Sequence, residues 1–292
     1  MRHWLMGLVA WQDRWARPFG EFNHRWLSAL FRPIRPVKDF LNGTWLGHPI
    51  HPAITDVPIG AFVVALILDL VGQRDGAVVA LVVGQVTFVA SLVTGLADYT
   101  DADGTARARA TTHGTIMFVA GLVTALSLVG RTSLAMDPTV ATITLVIGLG
   151  ILLAGAFVGG DLVFLLGNMV NRHAFRGAGT KWIALDTGDV QDLASLAEAT
   201  PTKMRAGIND LVVVRIGDTV HAMHAVCAHA GGPLDKGTVT PDGCLECPWH
   251  ASRFRLEDGV MRQGPAVYDQ PSYEIRSTDG GYEVRRRSRT DA

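Results

Sequence analysis

The stretch Cys244-Leu-Glu-Cys-Pro-Trp-His-Ala-Ser-Arg-Phe254 decides how the C-terminal part of this chain must fold. Cys247 and His250 are close enough to face one metal from a single loop. A second pair, Cys227-Ala-His229, stands upstream on a separate stretch. Two cysteine–histidine pairs on separate loops supply two thiolates and two imidazoles at one place. An asymmetric [2Fe–2S] cluster needs this donor set, with thiolates on one iron and imidazoles on the other. A Cys2His2 zinc site is the alternative, but zinc spacings usually pair cysteine with cysteine and histidine with histidine. Here each cysteine pairs with a histidine, which favours iron–sulfur.

The flanking sequence reads as β structure. Leu211-Val-Val-Val-Arg-Ile216, then Gly217-Asp218, then Val220-His-Ala-Met-His-Ala225 make a strand, a turn and a second strand. Tyr273-Glu-Ile-Arg and Tyr282-Glu-Val-Arg flank Asp279-Gly-Gly281, a hairpin signal. In this setting residues 183–287 resemble a Rieske iron–sulfur domain. The C-x-H and C-P-W-H boxes carry the likeness, together with Gly231, Gly232 and Pro233 after the first box.

The resemblance implies that Cys227, His229, Cys247 and His250 are the cluster ligands, with His229 and His250 on the exposed side facing a partner. It leaves Cys244 outside both boxes, as a partly buried thiol in a connecting turn. Rieske proteins of quinol-oxidising complexes carry a disulfide between the two cluster loops. Gly232 and Trp249 occupy the matching positions, so that disulfide is absent here. Ser252 matches a serine that donates toward a cluster sulfur, and Phe254 replaces a tyrosine that does likewise. One donor kept and one lost implies a potential in the lower or middle part of the roughly −150 to +300 mV Rieske range. The likeness is to ferredoxin-type members and the nitrite reductase small subunit, which are cytoplasmic electron carriers. The sequence after His250 is short and contains no histidine. The mononuclear iron of a Rieske oxygenase, held by two histidines and a carboxylate, is therefore not expected.

The rest of the chain has a different composition. Hydrophobic residues make up 48% and charged residues 18% of the 292, below the roughly 25% charged of soluble domains. A net charge of −1 argues against nucleic-acid binding, and three clustered cysteines against a disulfide scaffold. Ile54–Val71, Ala77–Leu96, Gly114–Leu128 and Val140–Val170 are apolar runs without polar stripes, which predicts four transmembrane helices. Seven lysines and arginines precede the first run, Arg107 and Arg109 lie between the second and third, and Arg172, Arg176 and Lys181 follow the fourth. The other two loops hold only Arg74 and Arg131. The positive-inside rule then places both termini in the cytoplasm of a multi-pass inner (plasma) membrane protein. Five of seven tryptophans fall in the first 45 residues among basic side chains, a mixture suited to the lipid–water interface or to an amphipathic helix packed on another domain.

The expected organisation is multidomain: a basic, Trp-rich segment at 1–46, a helical membrane bundle at 47–175, a linker at 176–182, an all-β Rieske domain at 183–287 and a tail at 288–292. Gly47-His-Pro-Ile-His-Pro52 resembles the signature of an uncharacterised bacterial four-helix membrane family over much of residues 40–173. His48, His51, His113 and His173 all fall at the expected cytoplasmic ends of the spans. They are candidates for ligating a b-type haem, for binding a quinone, or for capping helices. Asp161, after Gly159 and Gly160 in the last run, needs a polar partner or a proton at that depth.

The expected function is a membrane-anchored one-electron carrier with a cytoplasmic cluster. It would be an oxidoreductase component without its own substrate-converting site, relaying electrons from quinol or haem to a redox partner protein or the quinone pool. The alternative is a cluster-based redox sensor.

Overall fold

A computed structural model describes residues 2–174 and 181–287, with the side chains of residues 2–6 left aside. Residues 176–180 of the expected linker and the 288–292 tail lie outside the described residues. Two compact units emerge. One holds residues 1–42 and 49–168, and the other residues 43–48 and 169–292.

The first unit is helical. A long helix α1 (Arg2–Phe31) and a short α2 (Arg35–Asn42) precede the bundle. α3 (Ile50–Ile54) runs into α4 (Asp56–Leu70), followed by α5 (Arg74–Tyr99), α6 (Gly104–Thr132) and α7 (Pro138–Gly160). A π-helical turn, Asp161–Leu165, extends α7. Four segments are long and apolar enough to cross a membrane: Ile50–Leu70, Arg74–Tyr99, Gly104–Thr132 and Pro138–Leu165. The first and third are longer than their apolar cores, because α3 and the polar first turns of α6 are helical too. The fourth ends earlier than its apolar run, at Leu165 rather than Val170.

α1 is amphipathic and packs on α6. Val9, Ala16, Leu27 and Phe31 are buried. Tyr99 donates its hydroxyl to the Gly20 carbonyl at 2.9 Å, and Arg107 reaches Glu21 at 2.7 Å. Trp11, Trp15, Phe19, Phe22 and Trp26 recur at helical spacing on the opposite, exposed side.

The bundle is internally repeated, which the long aliphatic runs conceal. His51, Phe62 and Asp69 recur at the same spacing as His113, Thr124 and Arg131. On the partner helices, Ala77, Leu81, Gly84, Ser91 and Gly95 recur in the same way as Ala141, Leu145, Gly148, Gly155 and Gly159. Matched residues make matched contacts. A Cβ on Gly84 would lie 2.5 Å from Phe62, and one on Gly148 would lie 2.7 Å from Thr124. Ala77 and Ala141 are both fully buried, as are Leu81 and Leu145. Asp69 and Arg131, at equivalent positions, pair with each other through two bonds of 2.6 and 2.5 Å.

The second unit is β. Its six-stranded antiparallel sheet runs in the order β1 (Ile183–Leu185), β10 (Gly281–Arg286), β9 (Ser272–Thr278), β4 (Thr219–His224), β3 (Asn209–Ile216), β2 (Thr202–Ala206). A four-stranded antiparallel sheet orders β5 (Thr238–Val239), β6 (Cys244–Glu246), β7 (Arg253–Arg255) and β8 (Met261–Gln263). The β3–β4 and β9–β10 hairpins fall where the sequence places them. Val212, Val214, Met223, Leu234, Leu245 and Phe254 form a core cluster that also includes Cys227 and Cys247.

Candidate metal centre

The two boxes fold into one and the same loop. After β4, the Cys227 N–H donates to Gly232 O at 2.8 Å, and Gly231 N–H returns to Cys227 O at 3.0 Å. After β6, the Cys247 N–H donates to Ser252 O at 2.9 Å, and Ala251 N–H returns to Cys247 O at 3.0 Å. The fifth residue of each loop is left-handed: Gly231 at φ 88° and Ala251 at φ 57°. Closed this way, each loop keeps two further N–H groups beside its own cysteine. Those of His229 and Ala230 favour the Cys227 thiolate, and those of Trp249 and His250 the Cys247 thiolate.

The two thiols lie near enough to shift each other's titration, and the His229 and His250 rings stand 5.0 Å apart at 89°. The neighbouring Cys227 thiol pulls Cys247 down to about 7 against its burial, and the Trp249 and His250 N–H groups add to the effect. The Cys247 thiol, with burial, pushes Cys227 well above its ordinary value. Thiolate-stabilising N–H groups around two adjacent sulfurs, with two imidazoles opposite, fit the donor set of an asymmetric [2Fe–2S] cluster. A single tetrahedral ion fits less well: among the described residues, no three His, Cys, Asp or Glu side chains converge on one point.

Glycine makes room for the second loop. A Cβ on Gly232 would lie 2.8 Å from Cys247 Sγ and 3.1 Å from the Trp249 indole. Trp249 therefore lies over Gly232 and is 53% exposed. His229 is buried rather than exposed, in a small recess with Met169, Pro265, Val267 and Tyr268; His250 is half-buried. Cys244 is not in the connecting turn. It opens β6, buried, 3.7 Å from Asp242 Oδ2, and desolvation followed by that carboxylate raises its pKa.

Ser252 is fully buried, and its Oγ accepts the Ala266 N–H at 3.0 Å, which leaves the hydroxyl proton to donate elsewhere. Phe254, fully buried in the core cluster, has no hydroxyl to offer. Gln270 is a supporting residue that the sequence did not reveal. Its buried amide donates to His224 O at 2.6 Å and Val226 O at 2.8 Å, and accepts the Ala228 N–H at 2.9 Å. No local motif marks it, because its three partners lie far upstream in the chain.

The four candidate membrane histidines separate. His51 and His113 come together with ring centroids 6.2 Å apart. His48 is exposed in the 43–48 turn. His173 belongs to the β unit: its Nε2 donates to Val226 O at 2.8 Å and its ring lies 4.5 Å from that of His224. Asp161 finds its partner in Arg109, whose Nε also reaches Asp13 on α1 at 2.9 Å.

A two-sheet β unit with paired cysteine–histidine loops defines an iron–sulfur electron-transfer domain. The family model of the Rieske [2Fe–2S] domain matches residues 186–274, and through them the chain belongs to that family. It is 38% identical over 87 residues to the anthranilate 1,2-dioxygenase ferredoxin subunit of Burkholderia cepacia, a match covering 80% of that protein and 30% of this chain. It is 30% identical over 76 residues to ferredoxin CarAc of Metapseudomonas resinovorans, covering 70% and 26%. Among solved structures it is similar to the ferredoxin of carbazole 1,9a-dioxygenase from Nocardioides aromaticivorans IC177. The identity there is 29% and the TM-score 0.30, over 92% of that chain and 32% of this one.

Proposed function

We propose that the chain is a membrane-anchored one-electron carrier whose [2Fe–2S] cluster is held by Cys227, His229, Cys247 and His250. The observation that carries the reading is the pair of loops with matching backbone hydrogen bonds that bring two cysteines near each other and two imidazoles 5.0 Å apart. Such a cluster, when bound, supplies reversible one-electron transfer. The four N–H groups beside the cysteines hold negative charge on the sulfurs, and the Ser252 hydroxyl stands ready as one further donor. Phe254 withholds a second. The balance favours a potential in the lower or middle part of the family's range.

Electrons would pass at the face where His250 is partly accessible and Trp249 exposed, since His229 is covered. Relatives named as ferredoxins, one of them the ferredoxin subunit of a dioxygenase, support a protein as redox partner. The four apolar helices and the exposed aromatic side of α1 support an anchor in the membrane with α1 at its surface. On this reading the bundle either tethers the carrier or joins it to a donor within the membrane, quinol or haem.

The test is a pair of cysteine variants of the full chain. Cys247→Ser is expected to abolish the Rieske electron paramagnetic resonance signal and the visible absorption. Cys244→Ser is expected to leave both unchanged. Loss of the signal in the second variant would overturn the ligand assignment.

A further inference from the structure

The internal repeat brings two equivalent histidines side by side. His51 Nδ1 lies 2.8 Å from Ser91 O, and His113 Nδ1 lies 2.9 Å from Gly155 O. A carbonyl oxygen can only accept, so each Nδ1 carries the proton and each Nε2 keeps its lone pair. Neither Nε2 makes a hydrogen bond among the described residues. Each ring rests on a glycine one turn beyond the accepting carbonyl. A Cβ would come within 2.9 Å of His51 at Gly95, and within 3.0 Å of His113 at Gly159. Carbonyl, glycine and histidine thus recur in both halves, and the two rings meet with centroids 6.2 Å apart and planes at 79°.

A core histidine that merely satisfies itself would need one such bond. Two of them, locked in the same tautomer with ring centres 6.2 Å apart, share with metal-ligating histidines a far nitrogen fixed by a backbone carbonyl. The separation agrees. Two imidazoles opposed across one ion, each nitrogen about 2.0 Å from it and each ring centre about 1.15 Å beyond, would have centroids about 6.3 Å apart.

We propose that His51 and His113 bind one first-row transition-metal ion through their Nε2 atoms in an opposed pair, either as a bare ion or as the iron of a porphyrin. Neutral imidazoles suit copper, zinc and haem iron, and an opposed pair leaves the equatorial positions to a macrocycle or to none. This rests on the membrane-bundle reading but is independent of the cluster.

The experiment uses the full chain in detergent, in a Cys247→Ser background so that cluster iron does not contribute. The protein is purified from cells supplied with a haem precursor, and then titrated with haemin, Cu(I) and Zn²⁺ in turn. The expected result is about one haem or one bound ion per chain, with affinity falling about tenfold or more in both His51→Gln and His113→Gln. His48→Gln should bind as the parent does. A Soret band lost in both variants identifies a porphyrin iron; stoichiometric Cu(I) or Zn²⁺ without haem uptake identifies a bare ion. Failure to take up any of the three would overturn the proposal, as would uptake indifferent to both histidines. The same two substitutions in the parent chain should leave the cluster signal intact, which guards against a folding defect.

Discussion

At the residue scale, the two cluster loops differ in one informative place. Both need a left-handed residue at their fifth position, but Gly231 adopts that conformation without strain whereas Ala251 does so with a Cβ. For an L residue the left-handed region costs roughly 1–2 kcal/mol. Gly231→Ala should therefore destabilise the first loop by about that much, and Ala251→Gly should relieve a similar strain. The added chain entropy of glycine would cancel about 0.4–1 kcal/mol of the gain. Thermal bleaching of the cluster's visible absorption in the full chain reads both. The midpoint should fall for the first variant and stay or rise for the second, and a fall in both would mean that Ala251 makes a contact outweighing its backbone strain. The cysteines and histidines of the loops were legible because metal ligation restricts both residue type and spacing. Gln270 was not, since a side-chain amide that bonds to three backbone groups leaves no pattern along the chain.

Between elements, charge within the apolar bundle is the informative quantity. Asp69 and Arg131 join α4 to α6 with both side chains nearly inaccessible, and Thr142 Oγ1 adds a 3.2 Å bond from α7. Removing one partner strands the other charge in a poorly solvated place, at about 3–5 kcal/mol. Asp69→Asn and Arg131→Gln should thus each sharply reduce the fraction of protein that survives mild heating in detergent. Because the residues occupy equivalent positions of the repeat, the exchange Asp69→Arg with Arg131→Asp keeps the pair and should recover most of the loss. An exchange variant as fragile as the single ones would mean that Thr142 and its neighbours fix the polarity of the bridge. The sequence showed the four helices plainly, since their apolar runs are long. It hid the repeat, because outside a few histidines, glycines and paired charges the two hairpins use interchangeable aliphatic residues. It also hid where α6 begins. Arg107 and Arg109 read as loop charges, yet they lie in its first two turns and answer Glu21, Asp13 and Asp161.

For the molecule as a whole, those pairings remove several basic residues from the charge balance across the bundle. Arg107 and Arg109 are neutralised within the bundle, and Lys38 is held by Asp101 at 2.5 Å, so they weigh less as topological signals. What remains is still lopsided. Arg14, Arg25 and Arg32 are exposed ahead of the first span, whereas of the two arginines in the other loops Arg74 is exposed and Arg131, near the α6–α7 turn, is bound to Asp69. If all four helices span, both ends of the chain fall on one side, and the exposed arginines predict the cytoplasm for that side. Alkaline phosphatase, which is active only outside the cytoplasm, should then be inactive when fused after Ala292 and active when inserted between Leu134 and Asp137. The reverse pattern would place the β unit on the oxidising side. There, three free cysteines would be exposed to disulfide chemistry before any cluster could be inserted. The reducing compartment is the one in which the Cys227–Cys247 pair can wait as thiols, and that requirement agrees with the side chosen by the arginines.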